Sequence, residues 1–218
     1  MHLVIFDCDG VLVDSEPLVN RIEAAYFTEL GAPMSAQDAW DAFKGKTVGQ
    51  VATALETRIG RPLSVEFGYQ WAMTTALGLV RELKPIAGVI GAIERAQAAG
   101  AAICVASQSP LARVRLCLHV TGLEQCFGEN VFTAQMVERP KPAPDLFLHA
   151  ARCMNVPPER AIVIEDSPSG VAAARAAGMR VFGYAADESA AALESAGATV
   201  FYSMDDLRFD RGFVQDLA

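Results

Sequence analysis

Leu3-Val4-Ile5-Phe6-Asp7-Cys8-Asp9-Gly10-Val11-Leu12-Val13-Asp14-Ser15 is the stretch whose reading decides the fold. Its first four residues are apolar and rich in β-formers. They predict a buried strand, too short for a helix and broken at once by acids and a glycine. Two aspartates, two apart, follow directly. In an open parallel sheet, ligands bind in the crevice outside the carboxyl ends of the strands. An Asp-x-Asp-Gly delivered to that edge places two carboxylates where a hard cation and a phosphate can meet. A bare Asp-x-Asp would be read more simply, as a turn that solvates a strand end, and Gly10 suits that too.

The rest of the chain supplies the sheet. From about Glu16 to Leu83 the periodicity is helical throughout, with helices expected over Pro17–Leu30, Ser35–Phe43, Val48–Ile59 and Val65–Leu83. Ser15 and Glu16 offer a cap and a first-turn acid for the first of these. After Leu83-Lys84-Pro85-Ile86-Ala87-Gly88 the rhythm changes to alternating helix and strand. Strands are expected at Ala101–Ala106, Val131–Thr133, Ala161–Ile164, Arg180–Tyr184 and Thr199–Tyr202, with helices between them, the last over Glu188–Ser195. Alternation of this kind means a Rossmann-like, doubly wound α/β parallel sheet covered on both faces. The helical run that interrupts it is an inserted all-helical cap domain, residues 16–84, leaving 1–15 and 85–218 as the core. Hinges near Asp14–Pro17 and Leu83–Gly88 would let the insert open and close.

Composition narrows the partners. The chain has 218 residues, 52% of them hydrophobic, and a formal net charge of -8, so nucleic acid is not expected as a partner. Apolar residues are dispersed among charges and form no membrane-length run. The start Met1-His2-Leu3 lacks a basic region before an apolar one, so no secretory signal is expected. Five cysteines without a CxxC pair suit reduced thiols and a cytoplasmic location. Cys8, between the two aspartates, is expected to turn into the core on the opposite face from them.

Hydrolysis of a phosphate monoester needs a nucleophile, a proton shuttle, charge neutralisation and a phosphate cradle. Asp7, the first residue past the strand, is the candidate nucleophile. Asp9 is the candidate general acid to the leaving oxygen and later the base to water. Glu165-Asp166, after the apolar strand Ala161–Ile164, can add hard oxygen ligands to Asp7 and the Asp9 carbonyl for Mg²⁺. Ser107, before the turn Gln108-Ser109-Pro110, can hold phosphate oxygens at a helix start. Lys141, aimed by the flanking prolines Pro140 and Pro142, can neutralise charge in the transition state. Arg139 is a weaker second cation.

The string Phe6-Asp7-x-Asp9-Gly10-x-Leu12-x-Asp14-Ser15, with Ser107, Lys141 and Glu165-Asp166-Ser167-x-x-Gly170 in that order, resembles the haloacid-dehalogenase superfamily. The likeness runs through core and cap and is to the branch of β-phosphoglucomutase-like and sugar-phosphate phosphatases. It implies the roles assigned above: Asp7, Asp9, Ser107 and Lys141 catalytic, and Asp7, Asp9, Glu165 and Asp166 around Mg²⁺. It also implies that the loop Phe43-Lys44-Gly45-Lys46-Thr47 carries substrate contacts, with Gly45 and Lys46 as candidates. The family usually has a Ser or Thr at position 107 followed by Asn, so Gln108 is a departure at a substrate position. Mutases of this family carry an arginine three after the loop glycine and a histidine ten after the second aspartate. Val48 and Val19 stand there, which favours plain hydrolysis of a small phosphorylated metabolite. A mutase is the alternative. Dehalogenase chemistry has no need of Asp9 or a metal pair, and a non-catalytic phospho-ligand binder has no reason to keep both Asp7 and Asp9.

Overall fold

Six short strands carry the apolar runs: β1 (His2–Phe6), β2 (Ala101–Ser107), β3 (Val131–Thr133), β4 (Ala161–Glu165), β5 (Arg180–Tyr184) and β6 (Thr199–Phe201). In the computed structural model, which describes residues 2–186 and 190–209, they pair in parallel in the order β3-β2-β1-β4-β5-β6. The chain builds outward from β1 on one side through β2 and β3. It then crosses to build β4, β5 and β6 on the other side. β1 and β4 therefore flank the point where strand order reverses, the place in such sheets where a crevice opens at the carboxyl edge. Register brings the strands to that edge level, with Phe6 beside both Val105 and Ile164. The Asp7 amide extends the ladder by donating to the Ile164 carbonyl at 3.0 Å.

The expected Rossmann-like α/β class is what the structure shows. Helices α5 (Val89–Ala98), α6 (Leu111–Val120), α7 (Glu124–Phe127), α8 (Asp145–Cys153), α9 (Pro168–Ala176) and α10 (Ala190–Ala196) belong to the sheet unit. On one face Leu3, Ile5, Ala106 and Val163 pack under Leu146 and Phe147 of α8 and Val171 and Ala174 of α9. On the other, Phe6 meets the Phe127 ring edge-on at 6.0 Å. Cover on both faces is why the strands read as unbroken apolar runs instead of alternating ones. Residues 187–189, where the last helix was expected to begin, lie outside the described residues.

The chain divides into two compact units, 1–14 with 84–218, and 15–83. The second unit holds α1 (Glu16–Glu29), α2 (Ala36–Phe43), α3 (Val48–Ile59) and α4 (Phe67–Glu82). Its core is aromatic, with Phe27 edge-on to Phe43 at 5.3 Å and to Trp71 at 5.4 Å. Ser35 and Thr47 each close a reciprocal capping box, so α2 and α3 start where a capping hydroxyl stands. Two helix starts differ from the sequence expectation. Ser15 occupies the N-cap position of α1 but its side chain makes no capping bond, because its backbone is already helical (φ -92°, ψ -32°). Helix α4 begins at Phe67, not Val65, which stays fully exposed outside it. No helix among the described residues is long and apolar enough to cross a membrane.

Candidate active site

Lys141 joins the ends of three neighbouring strands. Its Nζ donates to Asp7 Oδ1 at 2.5 Å, just past β1, and to Glu165 Oε1 at 2.7 Å, at the end of β4. The third bond, at 3.0 Å, goes to the carbonyl of Ala106 in β2. Three N–H groups meet three acceptors, so the ammonium is saturated. The side chain is 1% exposed and also stands 4.9 Å from the Phe147 ring centre. Burial alone would favour the neutral amine, but the charges of Asp7 and Glu165 outweigh it and hold the lysine above its usual range. Asp7 is pushed the other way from an ordinary carboxylate. Its burial raises it to about 7, with Lys141 opposing and Glu165 adding to the rise.

The loop after β1 turns back tightly on itself. Leu12 and Val13 amides donate to the Cys8 carbonyl at 2.9 and 3.1 Å, and the Gly10 amide donates to the Val13 carbonyl at 2.9 Å. Gly10 has φ +80°, in the left-handed region. A Cβ built there would lie 1.9 Å from Asp166 Oδ2, so the Asp166 carboxylate rests directly against this backbone. The β1 loop and the β4 loop are thus pressed together, with Asp7 and Asp166 at one edge. Cys8 is fully buried, as its alternation requires, and a hydrogen bond with Cys117 and then burial push its thiol well up. A protonated buried thiol is not a nucleophile.

Glu165 is spoken for on both oxygens. Oε1 faces Lys141, while Oε2 accepts from the amides of Asp166 and Ser167 at 2.9 and 2.8 Å and from Ser167 Oγ at 2.8 Å. A Cβ on Gly170 would lie 1.7 Å from Oε1, so the glycine is what lets this carboxylate sit over the start of α9. Ser107 closes β2, 1% exposed, and its Oγ accepts from the Ser109 amide at 3.1 Å.

These strand-end carboxylates and the saturated lysine gather at the carboxyl edge of the sheet, beside the point where strand order reverses. A family model described as haloacid dehalogenase-like hydrolase matches residues 1–178. The chain is a haloacid dehalogenase-like hydrolase. It is 31% identical over 188 residues to the 6-phosphogluconate phosphatase of Escherichia coli K12, covering 86% of this chain and 84% of that one. It is 30% identical over 211 residues to the phosphorylated carbohydrates phosphatase of Thermotoga maritima, covering 95% and 96%. A crystal structure of a putative β-phosphoglucomutase from Thermotoga maritima superposes with a TM-score of 0.84 at 28% identity, covering 94% and 96%.

In this hydrolase the metal expected by family fits the donors present. Among the described residues no group of three or more His, Cys, Asp or Glu side chains gathers as a cage. Mg²⁺ does not require one, since it keeps several waters and takes one or two carboxylates. Asp7 and Asp166 are hard oxygen donors held at adjacent strand ends, and the Gly10 cradle keeps the second against the loop of the first. Glu165, also expected among the ligands, has its carboxylate bonded to Lys141 and to the α9 turn.

The remaining candidates, Arg139, Gln108, Gly45 and Lys46, are all exposed. Arg139 pairs bidentately with Asp145 at 3.0 and 2.7 Å at the start of α8. Gln108 is exposed beside the buried Ser107. Gly45 and Lys46 lie in the helical unit, where Lys46 borders a groove of about 620 Å³ lined by Thr47, Gln50, Thr53 and Thr57 along α3. The sequence reading missed the partners of Asp9: Ser109 Oγ at 2.7 Å and Arg113 Nη2 at 3.1 Å. Their signal was position alone, since both fall in the first turns after the carboxyl end of β2.

Proposed function

We propose that this hydrolase is a Mg²⁺-dependent phosphatase that cleaves a small phosphorylated carbohydrate or sugar acid through an aspartyl-phosphate on Asp7. The observation that carries the reading is the buried Lys141 ammonium bonded at once to Asp7, Glu165 and the end of β2. A lysine held there neutralises both the nucleophile and the charge that grows on the transferring phosphoryl group. Asp7 attacks phosphorus, the P–O ester bond breaks, and Asp9 gives its proton to the departing oxygen. Water then attacks the aspartyl-phosphate, Asp9 takes the water's proton, and Asp7 leaves as carboxylate with inorganic phosphate released. Ser107 and the amides at the start of α6 cradle the phosphoryl oxygens. Asp7, the Asp9 carbonyl and Asp166 would hold Mg²⁺, which when bound offsets repulsion between the carboxylates and the phosphate dianion. Glu165, its oxygens engaged elsewhere, orients Lys141.

The relatives named above act on 6-phosphogluconate and on phosphorylated carbohydrates. In the helical unit, Lys46 at the border of the α3 groove offers a cation to an anionic substrate. The likeness to a putative β-phosphoglucomutase favours a mutase as the second reading. Val48 and Val19, where that activity would place an arginine and a histidine, weigh against it.

The test is turnover of p-nitrophenyl phosphate, 6-phosphogluconate, phosphoglycolate and a panel of hexose phosphates, with and without Mg²⁺. Metal-dependent release of inorganic phosphate is expected, and Asp7→Asn should abolish it. Full activity in Asp7→Asn or in chelator would overturn the mechanism.

A further inference from the structure

Both carboxylate oxygens of Asp9 are held by side chains from the segment that follows β2. Ser109 Oγ donates to Oδ2 at 2.7 Å and Arg113 Nη2 donates to Oδ1 at 3.1 Å. Ser109 lies in the turn before α6 and Arg113 in its first turn, so both partners come from the single segment that leaves β2. The two partners are chemically unequal. A guanidinium has only donors and stays charged, whereas a serine hydroxyl donates or accepts as required. Oδ1 is therefore fixed as an acceptor, and Oδ2 faces the partner that tolerates a proton on it. Arg113 is 32% exposed in this pair and its Nε is buried without a hydrogen-bond partner. The guanidinium is thus placed for Asp9 at the expense of its own full set of bonds.

We propose that Arg113 is a positioning residue for proton transfer: by pinning Oδ1 it aims Asp9 so that Oδ2 passes the proton to the departing ester oxygen. This rests on the phosphatase reading above. The proton moves from Asp9 Oδ2 to the ester oxygen as the P–O bond breaks, and Ser109 Oγ donates to the carboxylate left behind.

Leaving-group dependence separates this role from a merely structural one. A sugar alkoxide leaves poorly unless it is protonated, while p-nitrophenolate is stable as an anion and leaves unaided. Through kcat/KM both are compared up to phosphoenzyme formation, so the later attack of water does not enter. The experiment measures kcat/KM of wild type, Arg113→Met and Arg113→Lys with Mg²⁺, on p-nitrophenyl phosphate and on the alkyl phosphate of the panel turned over fastest. Arg113→Met is expected to lose about 30-fold or more on the alkyl phosphate and less than about threefold on the aryl one, within the usual reach of general acid catalysis. Arg113→Lys should recover part of the alkyl loss. Because both substrates are read on one preparation, their ratio does not depend on the fraction folded, and Arg113→Lys is read by that same ratio if Arg113→Met does not fold. Equal losses on the two substrates, or none on the alkyl phosphate, would overturn the role of Arg113 and leave the phosphatase reading standing. A wild type that turns over neither substrate would overturn both.

Discussion

At Lys141 a single side chain carries much of the site's electrostatics. Replacing it with Met leaves Asp7 and Glu165 buried side by side without their counter-charge. Breaking one side of a buried ion pair costs about 3–5 kcal/mol, so Lys141→Met should unfold at clearly lower urea concentration and show no turnover. Denaturation followed by circular dichroism checks the first, phosphate release the second. A variant as stable as wild type would mean the lysine is not holding two buried charges. Gly10 makes a different demand. Its φ of +80° and the 1.9 Å approach of Asp166 leave no room for a methyl group. The left-handed backbone alone costs roughly 1–2 kcal/mol with a side chain. Gly10→Ala must also push Asp166 aside, so it should need far more Mg²⁺ for half-maximal activity, measured by metal titration. An unchanged metal requirement would separate Asp166 from the metal.

Among the elements, α9 shows how a helix start serves the chemistry. Ser167 accepts from the Gly170 amide at 3.1 Å and donates to Glu165 at 2.8 Å, so one hydroxyl both caps α9 and fixes the carboxylate that holds Lys141. Ser35→Ala and Ser167→Ala should each cost about 1 kcal/mol as lost caps. Only Ser167→Ala should also lower kcat; equal kcat in the two variants would show that Glu165 needs no help from the turn. Most elements were legible from pattern, since β1, β3 and β5 follow from short apolar runs, and α3 and α6 from helical periodicity that begins after Thr47 and Pro110. The four-residue α7 was not, because Glu124–Phe127 makes barely one turn and a periodic signal needs several. The caps divided in the same way: Ser35 and Thr47 bond as their residue types imply, whereas Ser15 does not, since backbone conformation decides and sequence does not display it.

For the whole molecule, topology is what makes distant residues one site. Asp7, Ser107, Lys141 and Asp166 are spread over 160 positions of sequence, yet parallel strands in level register return the chain repeatedly to one edge. Their types and order were readable because each follows a strand or sits in a stiffened loop. The bonds among them were not: that Glu165 faces Lys141, that Asp166 rests on Gly10 and that Arg113 reaches Asp9 depend on side-chain packing between separate strands. The central claim is that Asp7, backed by Lys141, becomes covalently phosphorylated. Its most direct measurement is acid quench of wild-type enzyme during turnover with Mg²⁺, followed by peptide mass mapping. A phosphoryl group on the peptide bearing Asp7, absent in Asp7→Asn, is the result expected. Rapid turnover with that peptide unmodified at every quench time would contradict the account.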